Sequence, residues 1–271
     1  MRRLLLGLLM PAALSAGGAI AAEEEPWRQQ DPRMVLIIDD VGTSLPLGRA
    51  ALELPGPITY AVLPLTPYSR RLSRDAEQRG KEVILHAPMA NLHRLKLGPG
   101  ALTLTQSKQE LQATLRADLN AVPEAIGINN HMGSLMTQRE ETMAWVMEVL
   151  RERGLFFIDS RTTAQTRAYD TALRAGIPAL KRDVFLDNER SKSAIEAQFL
   201  RAVALARRQG SVVVIGHPYP ETVEFLARAL PELGEYGISL MSASAYLAER
   251  NDAPRRQLAR ARAQQRITPD R

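Results

Sequence analysis

The sequence predicts an α/β protein built as a (β/α) barrel, and three observations lead there. Short apolar runs recur along the chain, each bounded by turn or polar residues: 34–38, 58–63, 83–85, 125–128, 155–158, 179–186, 212–215 and 238–241. Amphipathic stretches lie between them. Neither a GxGxxG nor a Walker pattern is present, which removes the usual nucleotide-binding reasons for an open doubly wound sheet. Runs this short and apolar suit parallel strands buried on both faces. Seven or eight β-then-α units in one chain favour a closed barrel.

The helical stretches are 67–79, 107–121, 139–153, 191–209 and 220–233. Ser107 with Glu110 forms a capping-box pattern ahead of Leu111, Leu115 and Leu119. Thr137 with Glu140 repeats it for the next helix, which Gly154 closes. Pro220 followed by Glu221 opens the last.

The ends of the chain differ from its body. Residues 1–22 read as a secretory signal: basic Arg2 and Arg3, an apolar Leu4–Leu14 interrupted by Pro11, and the small-x-small triplet Ala19-Ile20-Ala21. The apolar run falls short of the roughly 20 residues of a membrane span, so no transmembrane segment is expected after cleavage near Ala22 or Glu23. The protein is expected to be exported, periplasmic or otherwise extracytoplasmic. Residues 23–33 read as a polar linker, 34–249 as one barrel domain, and 250–271 as a basic, disordered tail. With no cysteine, disulfides, a thiolate nucleophile and a Cys-ligated zinc are excluded. The formal charge of +5 is concentrated at the ends. Arg2 and Arg3 carry +2, and six arginines against Asp252 and Asp270 give residues 251–271 +4, which leaves 23–250 near −1. No nucleic-acid partner is expected for such a body.

The apolar runs end in residues that a buried strand should avoid. Run one ends in Asp39-Asp40, run three in His86-Ala87-Pro88, and run four in Asn129-Asn130-His131-Met132-Gly133-Ser134. Run five ends in Asp159-Ser160-Arg161, run six is threaded with Arg182-Asp183 and Asp187-Asn188, and run seven ends in Gly216-His217-Pro218. In a (β/α) barrel the carboxyl ends of the strands form one face, where catalytic groups collect. One aspartate after a strand is usually a helix cap. Two adjacent carboxylates and three of the chain's four histidines at the same topological place point instead to a shared site.

One aspartate and two neutral imidazoles, with a position left open for water, form the ligand pattern of a hydrolytic zinc site. Such an ion lowers the pKa of a water from about 15.7 toward about 7. A second carboxylate then serves as general base, and a histidine on the opposite wall protonates the leaving group. Ser134 and Ser160 are the serines at strand ends near this set, and neither stands in a GxSxG elbow.

The motifs LIIDDVG, HAPM, NNHMGS, FIDSRT and IGHPYPET, in that order over residues 33–249, resemble the divergent polysaccharide deacetylase family, a distant branch of the NodB-like carbohydrate esterases. The resemblance implies a distorted (β/α)7-8 TIM-like barrel of the glycoside hydrolase and deacetylase type, and a divalent metal, usually Zn²⁺. It implies Asp39 as the base, Asp40 as a ligand and His217 as the acid. The better-studied relatives draw both metal histidines from one H-x(3–4)-H motif, whereas the nearest pair here, His86 and His93, is seven apart. His93 lies in the loop NLHRLKLGPG, so the ligands are assigned to His86 and His131 from different strands. Asn130 and Asp159 are expected around them as groups that orient a ligand or touch substrate.

The function expected from these readings is metal-dependent removal of acetyl groups from a cell-envelope polysaccharide, N- or O-acetylated. A non-catalytic envelope protein that binds glycan or a protein partner through the same barrel is the alternative. A third keeps the metal and changes the bond, to a phosphoester or a peptide amide.

Overall fold

The first strand, β1 (Arg33–Val41), is apolar on both faces from Met34 to Ile38 and buried throughout that length. Such a segment is stable only with partners on every side. In the computed structural model, which describes residues 31–251, β1 is the hub of the sheet. It pairs in parallel with β8 (Ser211–Gly216) along one edge. Along the other it pairs with β9 (Ser239–Met241) at its start and β2 (Thr59–Val62) at its end. From β2 the parallel ladder runs through β3 (Glu82–Met89), β4 (Gly127–Met132), β5 (Phe156–Asp159) and β6 (Ala179–Lys181), and β7 (Val184–Phe185) lies beyond β8.

β6 and β7 are the two ends of this sheet, yet they are neighbours in the chain. The Arg182 N–H donates to Asp159 O at 2.9 Å and the Asp183 N–H to Val213 O at 2.8 Å, so two residues carry the backbone across the gap. The sheet is thereby curled into the expected distorted barrel. The single run anticipated over 179–186 is two short strands on opposite edges.

Helices wrap the outside: α1 (Leu45–Leu52), α2 (Ser69–Gln78), α3 (Lys108–Ala121), α4 (Glu140–Arg153), α5 (Ala168–Arg174), α6 (Lys192–Gln209) and α7 (Pro220–Ala229). The capping box of Ser107 and Glu110 opens α3, and Gly154, at φ 67°, ends α4 in a left-handed cap. Thr137 does not cap α4. It lies in a 3-10 turn before it and donates to Gly133 O, leaving Arg139 at the cap position.

Strand alternation divides the core in two. Met34, Leu36 and Ile38 face the helices, while Val35 and Ile37 join Ala61, Ile84, Ile158, Leu180, Val213 and Ile215 inside the barrel. A helix over residues 243–251 adds Ala243 and Leu247 to the inner cluster. Its first amide, at Ala243, donates to Thr59 Oγ1 and Glu82 Oε1, and Tyr246 Oη bonds Ser211 Oγ. These partners all sit where strands begin, so the helix plugs the lower mouth and leaves the opposite rim open. The expected domain limit at 249 falls inside this helix, and β1 starts at Arg33, the last residue of the expected linker. The signal, most of the linker and the tail beyond 251 lie outside the described residues. Among the described residues no helix is long and apolar enough to cross a membrane.

One buried group away from the barrel interior sets a test. Asp118 on α3 is fully buried, and neither of its carboxylate oxygens has a hydrogen-bond partner. Its Oδ1 lies 2.1 Å from where a Cβ on Gly100 would stand, so the loop after β3 presses against it. Loss of hydration pushes its pKa up to about 8. The folded chain therefore holds a proton that the unfolded chain, with an Asp pKa of about 3.9, has released, and stability falls as pH rises through that window. Asp118→Asn should gain stability relative to the parent between pH 4 and 8, with no further gain above 8. Thermal melts across that range check it, and a difference independent of pH refutes it.

Candidate metal centre

Alternation along β1 turns Asp39 inward, after Val35 and Ile37, and would turn Asp40 outward. The strand breaks its register between Ile38 and Val41, and Asp40 adopts φ 57°. That left-handed conformation, uncommon outside glycine but better tolerated by Asp than by most side chains, swings the second carboxylate back over the rim. Both members of the pair then face the same space.

β3 and β4 supply the imidazoles. Asn129 is the parallel partner of His86, and His131, two residues on, shares its inward face. Asp40 Oδ1 lies 3.2 Å from His86 Nε2 and 2.9 Å from His131 Nδ1, and the two nitrogens are 3.1 Å apart. Zinc ligands at tetrahedral angles, about 2.0–2.1 Å from the ion, are spaced by roughly 3.4 Å. The three atoms therefore form a triangle of the right size for one small divalent ion.

The hydrogen bonds around this triangle fix which atoms face it. Asn129 Nδ2 donates to Asp39 Oδ1 at 2.7 Å, since a carboxylate only accepts. Its Oδ1 then faces His86 Nδ1 at 2.7 Å, so that nitrogen carries the proton and Nε2 presents a lone pair to Asp40 and His131. Asp40 Oδ1 is shut off from water and has no donor in hydrogen-bond geometry despite the two nearby nitrogens. A carboxylate oxygen without a donor and two ring nitrogens converging at this distance call for a cation, and the residues present fit one. Without the ion a proton serves the same end. Burial opposes a charged ring at His86, but Asp39 and Asp40 outweigh it and push its pKa up to about 9. Burial likewise opposes ionisation of Asp40, yet the imidazoles beside it hold its carboxyl far below the usual range.

Two groups flank the triangle. Asp39 is 3% exposed, and burial pushes its carboxyl above the ordinary range against the pull of His86, His217 and Asn129. His217 follows β8 and is gripped by Asp187. One carboxylate oxygen accepts its ring Nδ1–H at 2.8 Å, and the other accepts its backbone N–H at 2.6 Å and the Thr222 hydroxyl at 2.8 Å. Nε2 is left facing Asp40, 3.9 Å away. Burial works against the His217 charge, and Asp187 more than offsets it, so the pKa is raised. The ring is stacked on Tyr219 and tilted against Phe185.

Asp39, Asp40, His86, His131 and His217 thus meet at one rim. His86 and His131 belong to the strands themselves rather than to the segments after them. Asn130 and Asp159, expected beside them, are turned away. Asn130 faces outward on β4, where its amide donates to Met132 O and accepts from the Ser160 N–H. Asp159 faces outward on β5, buried, and accepts from the Arg161 and Tyr169 amides and the Thr166 hydroxyl. Both hold loops in place. Their neighbours of opposite parity, or partners across the sheet, do the work assigned to them: Asn129 orients His86, and Asp187 orients His217. His93 is exposed in the loop after β3, as expected.

The comparisons with known proteins agree with this architecture. The model of a family described as divergent polysaccharide deacetylase matches residues 36–247. The Escherichia coli (strain K12) protein YibQ, itself described as uncharacterized, is 40% identical over 217 residues, covering 80% of this chain and 68% of that one. The crystal structure of an uncharacterized protein from Agrobacterium tumefaciens C58 superposes with a TM-score of 0.77 at 22% identity, over 82% of this chain and 92% of that one. A pseudoenzyme of the CE4 family from Bacillus anthracis superposes at 0.52 with 14% identity, over 80% of this chain and 66% of that one. At such identities the structural likeness is one of fold alone.

The hydrogen bond from Asn129 sets the tautomer of His86, so Asn129→Ala should weaken zinc binding at the candidate centre about 10–100-fold. Asn130→Ala should lower thermal stability without that loss. Titration calorimetry with zinc measures the first, and an unchanged affinity for Asn129→Ala would refute the orienting role.

Proposed function

The chain belongs to the divergent polysaccharide deacetylase family, and on that premise we propose that it is a metal-dependent hydrolase removing acetyl groups from an N- or O-acetylated glycan of the cell envelope. One observation supports the reading above the rest: Asp40, His86 and His131 converge on a single point between a buried carboxylate and a carboxylate-held imidazole.

Asp40 Oδ1, His86 Nε2 and His131 Nδ1 would hold the ion, and one oxygen with two nitrogens suits Zn²⁺. When bound, that ion supplies Lewis acidity to the acyl oxygen and to water. The remaining chemistry falls to the chain. Asp39, its basicity raised by burial, takes a proton from the attacking water. His217 gives the proton on Nε2 to the departing amine or alkoxide as the acyl bond breaks, while Asp187 keeps Nδ1 protonated and the ring in place. The signal-like residues 1–22 support action outside the cytoplasm, in the periplasm or beyond.

The fold shared with a CE4 pseudoenzyme favours a second reading, in which the barrel binds glycan or a protein partner without turnover. Acetate release separates the two. Zinc-loaded protein should release acetate from N-acetylated oligosaccharides or O-acetylated glycan. Asp39→Asn should lose about 10²–10⁴ in kcat/KM while retaining metal, and His131→Ala should lose both. Fully metallated protein that frees no acetate from any such glycan in a single-turnover assay would favour the second reading.

A further inference from the structure

The open rim is uneven in character. Above β2 and β3 it carries the exposed side chains of Leu65, Leu92 and Leu95, with Arg94 and Lys96 exposed in the same loop as the last two. Above β5 to β8 it carries the cations of Arg161, Arg182 and Arg190. Arg182 is the half-buried one, and its placement is built. Its Nε donates to Ser160 O at 2.6 Å and its Nη2 to Arg161 O at 2.8 Å, and the guanidinium lies over the Phe185 ring, 5.0 Å from its centroid. Arg161 turns its carbonyl to this task at the expense of a left-handed φ of 47°. These contacts position the cation without neutralising it. Among the described residues no carboxylate comes within the 4.0 Å of an ion pair. Burial, and after it the neighbouring Arg161 cation, weaken its hold on its proton.

Beside it stands a second unsatisfied group. Ser160 is 2% exposed, and its hydroxyl has no hydrogen-bond partner. It continues the parity of Phe156 and Ile158, which face the barrel interior. A buried orphan hydroxyl costs stability, by about 1–3 kcal/mol, and nothing in the packing of the barrel requires one there. The Phe185 ring that carries Arg182 also packs against His217, at 5.2 Å between centroids. One aromatic ring therefore separates the cation from the imidazole at the reaction centre.

We propose that Ser160 Oγ and the Arg182 guanidinium form an anion-reading subsite next to the metal centre, which selects a glycan carrying a carboxylate or phosphate on, or adjacent to, the acetylated sugar. This deepens the deacetylase reading and rests on it for the identity of the ligand as a glycan. The planar fork of an arginine held at Nε and Nη2 leaves its Nη1 donors for an oxyanion, and the serine hydroxyl adds one more. An anion held there also sets which way the glycan lies across the rim.

Binding tests the subsite independently of turnover. Three oligosaccharides of one backbone, bearing a carboxylate, a phosphate or a neutral amide at the same position, are titrated into the zinc-loaded full chain. The charged forms should bind about 10–100-fold more tightly than the amide, as a charge-assisted contact predicts, and the tighter of the two identifies the natural substituent. Arg182→Gln should abolish that preference, and Arg182→Lys should keep part of it. Because Arg182 also ties down two carbonyls, Ser160→Ala is the control for folding. It removes an unpartnered hydroxyl, so it should melt no lower than the parent while losing about 5–10-fold in affinity for the charged glycan. Equal affinity for all three glycans, or a preference that survives both Arg182→Gln and Ser160→Ala, overturns the proposal. Loss of acetate release with the preference intact would instead count against the deacetylase reading alone.

Discussion

One carboxylate oxygen and two ring nitrogens brought within about 3 Å of one another are the constraint on which the rest of this molecule turns. Asp40, His86 and His131 gain nothing from this meeting unless a positive charge stands between them. Much of the neighbouring structure serves to keep them there. Asn129 holds one ring by its far nitrogen and is itself fixed by Asp39. The β3–β4 register brings Asn129 level with His86. The broken register in β1 delivers Asp40.

Holding such a set carries a cost, and it is concentrated on the open rim. The non-glycine residues with left-handed backbone among those described are Asp40, Leu65, Arg94, Met132 and Arg161, and each lies at the end of a strand or in the loop after it on that face. Strain of this kind persists only where the surroundings overdetermine it. Here the lower mouth supplies the counterweight. It is filled by apolar side chains and sealed by the helix over 243–251, whose first amides are capped by the Glu82 carboxylate. The barrel is closed at one end and carries the candidate site at the other.

The barrel was legible because apolar runs and helical stretches alternate, and those patterns report burial directly. The weaker elements were not. Helix α5 has seven residues, too few for a periodic face, and α1 carries Pro46 and Gly48, which read as a turn. Gly48 is there because Leu72 of α2 packs where a side chain would be. In the site, the clustering of Asp39, Asp40 and three histidines at strand ends was visible in sequence, since polar residues in an apolar strand announce themselves. The choice between Asn129 and Asn130 was also within reach, because a period of two places Asn129 with His131 and Asn130 opposite. Asp187 was not, since its bond to His217 depends on the β7–β8 pairing and has no local signature. The inward turn of Asp40 depends on a register break that composition does not encode.

The account stands most directly on the identity of the atoms around the ion. Crystals of the protein grown with zinc, with anomalous diffraction collected on either side of the zinc absorption edge, locate that ion and its ligands together. The account predicts one zinc held by Asp40 Oδ1, His86 Nε2 and His131 Nδ1, with His86 Nδ1 still bonded to Asn129. A site left empty at saturating zinc, or an ion held by other residues with these three apart, would contradict it.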